Sequence, residues 1–377
     1  MEKKINKIAF ILPALEGGGV EKVFILLARG FLNRGIKVDL VLAKARGSLI
    51  TSIPSSANMI DLDVPQRLRL IRSYFPLRKY LNRLKPDLAL HVWGYFDIIP
   101  IRALQIERIP YFFVLHNQPD YFYDLPKPKQ ILAVYSAKKT IRETYELMDK
   151  GQACLGAVSS NVAQSFSQLA SVPKEVFKIV HNPIDPNIQN LAREPVDHPW
   201  FNNMKPPLIG VGRLHPQKNW PLLLQSMTYP EVSGERLVLV GEGPLRSYLG
   251  TLVRDLGISD RVLFWGYDSN PYRLIAKSKA LVLPSKYEGL GVVVLEALAL
   301  GVQVVILKEN TASYELIDEG RLGHVADLST PELLAFSIRK AFDSPIPKEI
   351  LEQSLIKYQL DNVINEYLDV FEELQRR

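Results

Sequence analysis

Ala280-Leu-Val-Leu283-Pro284-Ser285-Lys286-Tyr287-Glu288-Gly289-Leu290-Gly291-Val-Val-Val-Leu-Glu296-Ala-Leu-Ala-Leu-Gly301 reads, in one run, as a strand, a break and a helix. The apolar run ends at Leu283, Pro284 and Ser285 interrupt it, and a helix begins near Leu290. Gly289 and Gly291 keep the backbone open at that start, where N–H groups without helical partners and the positive dipole end favour a phosphate. From Glu288 to Glu296 the spacing is eight residues, about 12 Å along a helix axis at about 1.5 Å per residue. One extended ligand fits that span: a sugar near Glu288, a diphosphate at the helix start and a ribose near Glu296. Carboxylates accept hydrogen bonds from hydroxyl pairs. Glu296 lies among Leu295, Ala297 and Leu298, where an unpaired carboxylate is costly to bury.

The same strand–turn–helix texture extends in both directions. Apolar runs occur at Ile8–Leu12, Val38–Leu42, Leu88–Val92, Tyr111–Leu115, Ile131–Val134, Ala153–Val158 and Phe177–Val180, with amphipathic stretches such as Val20–Arg34 and Arg69–Leu84 among them. Beyond a proline-rich segment they resume at Leu208–Val211, Arg236–Val240, Val262–Phe264, Ala280–Leu283 and Val302–Ile306. Continuous rather than alternating apolar runs predict strands buried on both faces of a parallel sheet. The expected fold is therefore α/β, with two doubly wound, Rossmann-like domains facing a cleft. The boundaries expected are 1–183 for an N-terminal domain, 184–206 for a linker, 207–358 for a C-terminal domain, and 359–377 for a terminal helix.

Ligands of such sheets bind beyond the carboxyl ends of the strands, and three further motifs lie there. Gly212-Arg213-Leu-His-Pro-Gln-Lys218-Asn219 follows Leu208–Val211. Arg213 offers a planar fork and Lys218 a point charge, a pair suited to adjacent phosphates. Glu16-Gly17-Gly18-Gly19-Val20-Glu21 follows the first strand; a tight glycine loop opening a helix can approach a phosphate or a reacting sugar. It is not a G-x-G-x-x-G dinucleotide fingerprint. His116 follows Tyr111–Leu115, and two readings stand open for it: a ligand to a sugar hydroxyl, or a satisfied loop histidine. Asp61-Leu62-Asp63 has the D-x-D form of a metal site, but its alternation with Met59, Ile60 and Val64 reads as an edge strand with acids in water.

Composition narrows the class. Hydrophobic residues make up 47% and charged residues 23%, a globular balance. Cys154 is the single cysteine, so no intrachain disulfide forms and a reducing, cytoplasmic setting is expected. The charge of +6 is spread along the chain, which argues against a nucleic-acid partner. Its densest stretch, Arg67, Arg69, Arg72, Arg78, Lys79, Arg83 and Lys85 interleaved with leucines, reads first as a solvated helix face over a core stripe. The alternative is a surface for anionic lipid headgroups, a peripheral contact with the inner face of the membrane. Lys3, Lys4 and the run from Ile8 resemble a signal peptide, but Pro13 and Glu16 break it. No transmembrane helix, resident cofactor or metal site is expected.

Taken together, the quoted motifs resemble the retaining glycosyltransferases of family 4, which have the GT-B fold, and the resemblance spans nearly the whole chain. Gly17 to Glu21 looks like the family's N-terminal loop, and Gly212, Arg213, Lys218 and Asn219 like its phosphate-binding segment. Gly241-Glu242-Gly243-Pro244 looks like a turn of its C-terminal domain, and Glu288 to Glu296 matches its Glu-x7-Glu motif. The tail from Asn362 to Phe371 is similar to the family's closing helix, which returns to the N-terminal domain. The resemblance implies a nucleotide-diphosphate sugar donor, retention of configuration and no essential metal. It implies that Arg213 and Lys218 neutralise the diphosphate, Glu288 holds donor-sugar hydroxyls, Glu296 holds the ribose and His116 contacts the donor sugar. It places Gly18 and Gly19 near the donor phosphate or the acceptor, and Gly212, Gly289, Leu290 and Gly291 at the donor. The acceptor it implies is a saccharide or lipid-linked saccharide, met by loops such as Trp93–Phe96 and His116–Tyr123. The chain departs from the family at Asn182-Pro183-Ile184-Asp185, where many relatives carry Asn-Gly-Val-Asp. Two other classes use the same architecture. A sugar-nucleotide 2-epimerase or sugar phosphorylase would yield epimerised sugar or sugar phosphate, and a non-catalytic module would bind the donor without transfer.

Overall fold

The computed structural model describes residues 5–65, 72–92, 98–202 and 205–376. The chain divides into two compact units, one of Met1–Pro183 with Leu360–Arg377 and one of Ile184–Gln359.

In the first unit the described strands are β1 (Lys7–Leu12), β2 (Lys37–Leu42), β3 (Asn58–Asp61), β4 (Leu88–Val92), β5 (Tyr111–Leu115), β6 (Ala153–Ala157) and β7 (Phe177–Ile179). They form a sheet in the order β3-β2-β1-β4-β5-β6-β7, with every pairing parallel. β1, β2, β5 and β6 are buried almost throughout, as their unbroken apolar runs require. β3 is an edge strand, and Lys44 pairs with both Asp61 and Asp63 beside it.

The terminal helix Leu360–Arg376 belongs to this unit and supplies part of its core. Tyr367 and Phe371 are fully buried and pack on Phe31 and Phe112. Phe371 stacks on Phe31 at 5.6 Å, and Tyr367 meets Phe112 edge-on at 5.8 Å. Glu366 fastens the helix, accepting from the main-chain N–H of His181 at 2.9 Å and lying 2.8 Å from its Nδ1. Helix Gly19–Asn33 packs against it through Gly30, where a Cβ would stand 2.5 Å from Ile364 Cγ1.

In the second unit β8 (Leu208–Val211), β9 (Leu237–Val240), β10 (Val262–Gly266), β11 (Ala280–Leu283), β12 (Gln303–Leu307) and β13 (His324–Ala326) form a parallel sheet in the order β10-β9-β8-β11-β12-β13. Each sheet thus reverses direction once, between β1 and β4 and between β8 and β11. The loops after those strands flank a topological switch point, where doubly wound sheets bind ligands.

Two expectations are corrected. Ile131–Val134 is not a strand but part of the helix Lys127–Met148. Ala133, Ser136, Ala137, Thr140, Ile141, Thr144 and Met148 form its buried side, a helical period that small residues carry and that a search for bulky apolar runs misses. Residues 184–206 are not a free linker but lie within the second unit. Ile188 and Ala192 of the short helix Ile188–Ala192 are buried against Tyr272, and Phe201 meets Trp265 at 5.8 Å. Arg67, Leu68, Arg69, Leu70 and Ile71, like Trp93, Tyr95 and Phe96, lie outside the described residues. Among the described residues no helix is long and apolar enough to cross a membrane.

Gly30→Val should lower stability by about 1–3 kcal/mol through overpacking against Ile364, and adding Ile364→Ala should recover part of that loss. Urea unfolding of the single and double variants measures both.

Candidate functional site

In the second unit the switch point brings two loops side by side. The loop after β8 contains a helical turn, Pro216–Lys218, closed by Asn219 in the left-handed region at φ 52°. The loop after β11 leads to the helix Val292–Ala299. Gln217 joins them twice: its Nε2 donates to the Tyr287 carbonyl at 3.0 Å, and its own carbonyl accepts from the Lys286 N–H at 2.9 Å. Lys218 Nζ then donates to Glu288 Oε1 at 2.5 Å. The Glu288 carboxylate is almost fully buried, so it requires a charged partner, and Lys218 supplies one.

Glycines make this approach possible. At Gly212, with φ 154°, a Cβ would stand 3.0 Å from Lys218 Cε. At Gly291, the N-cap of the helix with φ 78°, a side chain would run into Ser313 Oγ. Leu290 is buried beside it and Gly289 precedes it in the same turn. The helix therefore starts next to the Lys218–Glu288 pair, with its first N–H groups lacking helical partners. Arg213 is exposed in the neighbouring loop, and its carbonyl accepts from the indole N–H of the fully buried Trp220 at 3.0 Å. Ser285, in the loop after β11, is fully buried, and among the described residues its hydroxyl has no hydrogen-bond partner.

Glu296 lies farther along the same helix, buried, and accepts from the Tyr272 hydroxyl at 3.1 Å. Burial, then the carboxylates of Glu296 and Asp185, hold the Tyr272 phenol well above its usual range. It stays protonated and remains a donor to Glu296 across the working pH range. Asp185, which sequence left without a role, is thus a neighbour of this pair.

In the first unit Gly17, Gly18 and Gly19 open the helix Gly19–Asn33 at the carboxyl end of β1. The N–H groups of Gly17 and Gly18 donate to Glu21 Oε2 at 2.6 and 2.9 Å. Burial outweighs these bonds and raises the Glu21 carboxyl above its ordinary value. His116, at the carboxyl end of β5, packs against Phe24 of that helix with ring centroids 5.4 Å apart. It is buried, and among the described residues neither ring nitrogen has a hydrogen-bond partner. Burial depresses its pKa to about 3, so the ring is a neutral polar group rather than a cation.

Arg213, Lys218, Gly212, Glu288, Gly289, Leu290, Gly291 and Glu296 therefore share one end of the second sheet, and Gly18, Gly19 and His116 share one end of the first. Sequence reasoning missed Gln217, Trp220, Tyr272 and Ser285. Gln217 and Trp220 flank Lys218-Asn219 and were within reach of the motif. Tyr272 is separated from Glu296 by a whole strand, and nothing in the local sequence links them.

A family model described as glycosyl transferases group 1 matches residues 197–359, and one described as Glycosyltransferase Family 4 matches residues 17–188. The chain belongs to glycosyltransferase family 4. One family relative is the N-acetylgalactosamine-N,N'-diacetylbacillosaminyl-diphospho-undecaprenol 4-alpha-N-acetylgalactosaminyltransferase of Campylobacter jejuni, 28% identical over 159 residues, 42% of this chain and 42% of that protein. Another is the lipopolysaccharide core biosynthesis glycosyltransferase LpsD of Rhizobium meliloti, 29% identical over 170 residues, 44% of this chain and 49% of that protein. The matched stretch spans less than half the length of each of these relatives. Among solved structures, Anabaena HepE in complex with UDP-glucose superposes with a TM-score of 0.76 at 19% identity, over 97% of this chain and 99% of that one. WaaG, a glycosyltransferase involved in lipopolysaccharide biosynthesis, gives 0.73 at 18%, over 97% and 99%. These likenesses establish the GT-B fold.

Two outcomes follow from the geometry. Tyr272→Phe should destabilise the second unit by about 1 kcal/mol, because a buried carboxylate loses a donor; urea titration reads it. The His116 imidazole should show no titration in NMR above about pH 4, against an unperturbed value of about 6.5. Because the unfolded state binds that proton first, His116 should make stability fall as pH drops below about 6.5, and His116→Gln should flatten that slope.

Proposed function

We propose that the protein is a retaining glycosyltransferase that moves a hexose from a nucleotide-diphosphate sugar to a hydroxyl of a saccharide or lipid-linked saccharide. The observation that carries this reading is the Lys218–Glu288 pair at the switch point, beside the start of the helix Val292–Ala299. When a diphosphate enters, Lys218 exchanges one anionic partner for another, so the cation keeps its compensation. Glu288 is then released to accept hydrogen bonds from sugar hydroxyls. Arg213 and the helix start add positive potential where the leaving phosphate gathers charge. Glu296, steadied by Tyr272, takes the ribose. His116, neutral and buried, with both nitrogens unpartnered among the described residues, suits a sugar hydroxyl, and Gly18 and Gly19 suit a phosphate or the acceptor.

In the reaction the bond from the anomeric carbon to the diphosphate oxygen breaks, and the acceptor oxygen bonds to the same face of that carbon. The acceptor proton passes to the departing phosphate oxygen. Two side-chain cations and a helix start provide electrostatic stabilisation for which no metal is invoked. Uracil is the proposed base, supported by the UDP and UDP-glucose bound to HepE. The acceptor class is supported by the diphospho-undecaprenol in the name of the Campylobacter relative and the lipopolysaccharide core biosynthesis in that of the Rhizobium relative. The setting proposed is the cytoplasm, with polysaccharide or glycolipid synthesis as the process.

A thermal-shift screen of UDP-, GDP-, ADP- and dTDP-sugars should single out UDP, since a ligand of the folded state raises apparent stability. Lys218→Ala and Arg213→Ala should each lower transfer by more than about tenfold, and EDTA should leave it unchanged. NMR of the product should give the donor's anomer. Inverted product, epimerised sugar, or donor binding without transfer across an acceptor panel would each refute the corresponding part.

A further inference from the structure

Glu288 lies in a turn whose neighbours Tyr287 and Leu290 are buried with it. Its side chain is 9% exposed and that of Lys218 is 16% exposed, so neither charge is well solvated. Among the described residues Lys218 is the one cation within ion-pair distance of this carboxylate. The lysine has little freedom to look elsewhere. Its Cε lies 3.0 Å from where a Cβ on Gly212 would stand, and Gln217 beside it is bonded to both Lys286 and Tyr287. Glu296 differs, because its donor, the Tyr272 hydroxyl, belongs to the fold and carries no charge that a phosphate could draw away.

A phosphate and a sugar therefore act unequally on the pair. A ligand that brings phosphate alone draws Lys218 away and leaves Glu288 buried without a cation, the unfavourable outcome of breaking a buried ion pair. A ligand that brings phosphate and sugar together supplies hydroxyl donors to the carboxylate as it takes the lysine. Both ions then stay compensated. The pair thus sets two requirements that one molecule must meet at once: an anion for Lys218 and hydroxyls for Glu288.

We propose that the Lys218–Glu288 pair makes the site prefer a nucleotide-diphosphate sugar to the bare nucleoside diphosphate, and that its re-formation drives the bare diphosphate out after transfer. The inference rests on the donor reading above and extends it from binding to release. Once the sugar has gone to the acceptor, Glu288 has lost its hydroxyl donors and draws Lys218 back. The diphosphate is left with Arg213 and the helix start, and it dissociates. The by-product is accordingly a weak inhibitor of the next turnover.

Calorimetric titration of the full chain tests this with UDP against UDP-glucose, UDP-galactose and UDP-N-acetylglucosamine, and with GDP, ADP and dTDP against their glucose conjugates. For the base that binds, the best sugar conjugate should bind at least about tenfold more tightly than the bare diphosphate. Glu288→Gln removes the charge that draws the lysine back and keeps a side chain that bonds hydroxyls. The bare diphosphate should bind this variant at least about tenfold more tightly than it binds wild type, and the gap to the sugar conjugate should close. The wild type offers a second readout that needs no variant to fold. An excess of the matching free monosaccharide should raise the affinity for the bare diphosphate several-fold, because its hydroxyls satisfy the released Glu288. Equal affinity for the diphosphate and every conjugate, with Lys218 serving both anions at once, overturns the proposal and leaves the donor site standing. So does a diphosphate affinity that neither Glu288→Gln nor free sugar alters. If none of these nucleotides binds, the donor reading itself fails, and this inference with it.

Discussion

A buried carboxylate needs a cation, and at Glu288 that requirement organises the second unit. Lys218 reaches Glu288 from a different strand, so the loops after β8 and β11 must lie within a side chain's length of each other. The strand order β10-β9-β8-β11-β12-β13 makes those strands neighbours, and Gln217 ties their loops through both its amide and its backbone. Lys218 is therefore already held in place, which lowers the ordering that any ligand of this loop would require.

The tolerance of this arrangement is small. A side chain at Gly241, with φ 135°, would collide with the Gly212 carbonyl, and one at Gly243 would meet the Leu214 backbone. The turn after β9 thus lies directly on the loop after β8, and Leu214 exchanges backbone hydrogen bonds with it, donating to Glu242 and accepting from Leu245. Trp220 fills the other side, lying over Gly210 of β8 with its indole N–H on the Arg213 carbonyl. The loop after β8 is thus held from both sides, by the turn after β9 and by Trp220.

Much of this was legible in the sequence, because parallel strands buried on both faces leave continuous apolar runs and the loops after them carry unusual residues. The Glu288–Glu296 stretch announced a strand, a helix start and two carboxylates without any tertiary information. What could not be read were relations between distant segments. Nothing near Tyr272 points to Glu296, and nothing near Lys218 says that its partner is Glu288 rather than solvent. Ile131–Val134 misled for a physical reason: four successive residues of low polarity match a strand, while the helical pattern around them is written in alanine, serine and threonine. The proline-rich stretch from Pro183 to Pro207 misled in the same way, since its prolines shape short packed segments such as Ile188–Ala192 rather than a tether.

The core of the first unit is finished by residues that follow the second unit in the chain. Tyr367 and Phe371 fill space against Phe31 and Phe112, yet the ribosome adds them after the entire second unit. During synthesis the second unit can close as soon as Gln359 has emerged, whereas the first must wait with an aromatic hollow open to water. The first unit can thus complete its core only after the second has been translated. A chaperone that shelters exposed aromatics would find its client in the earlier-made half.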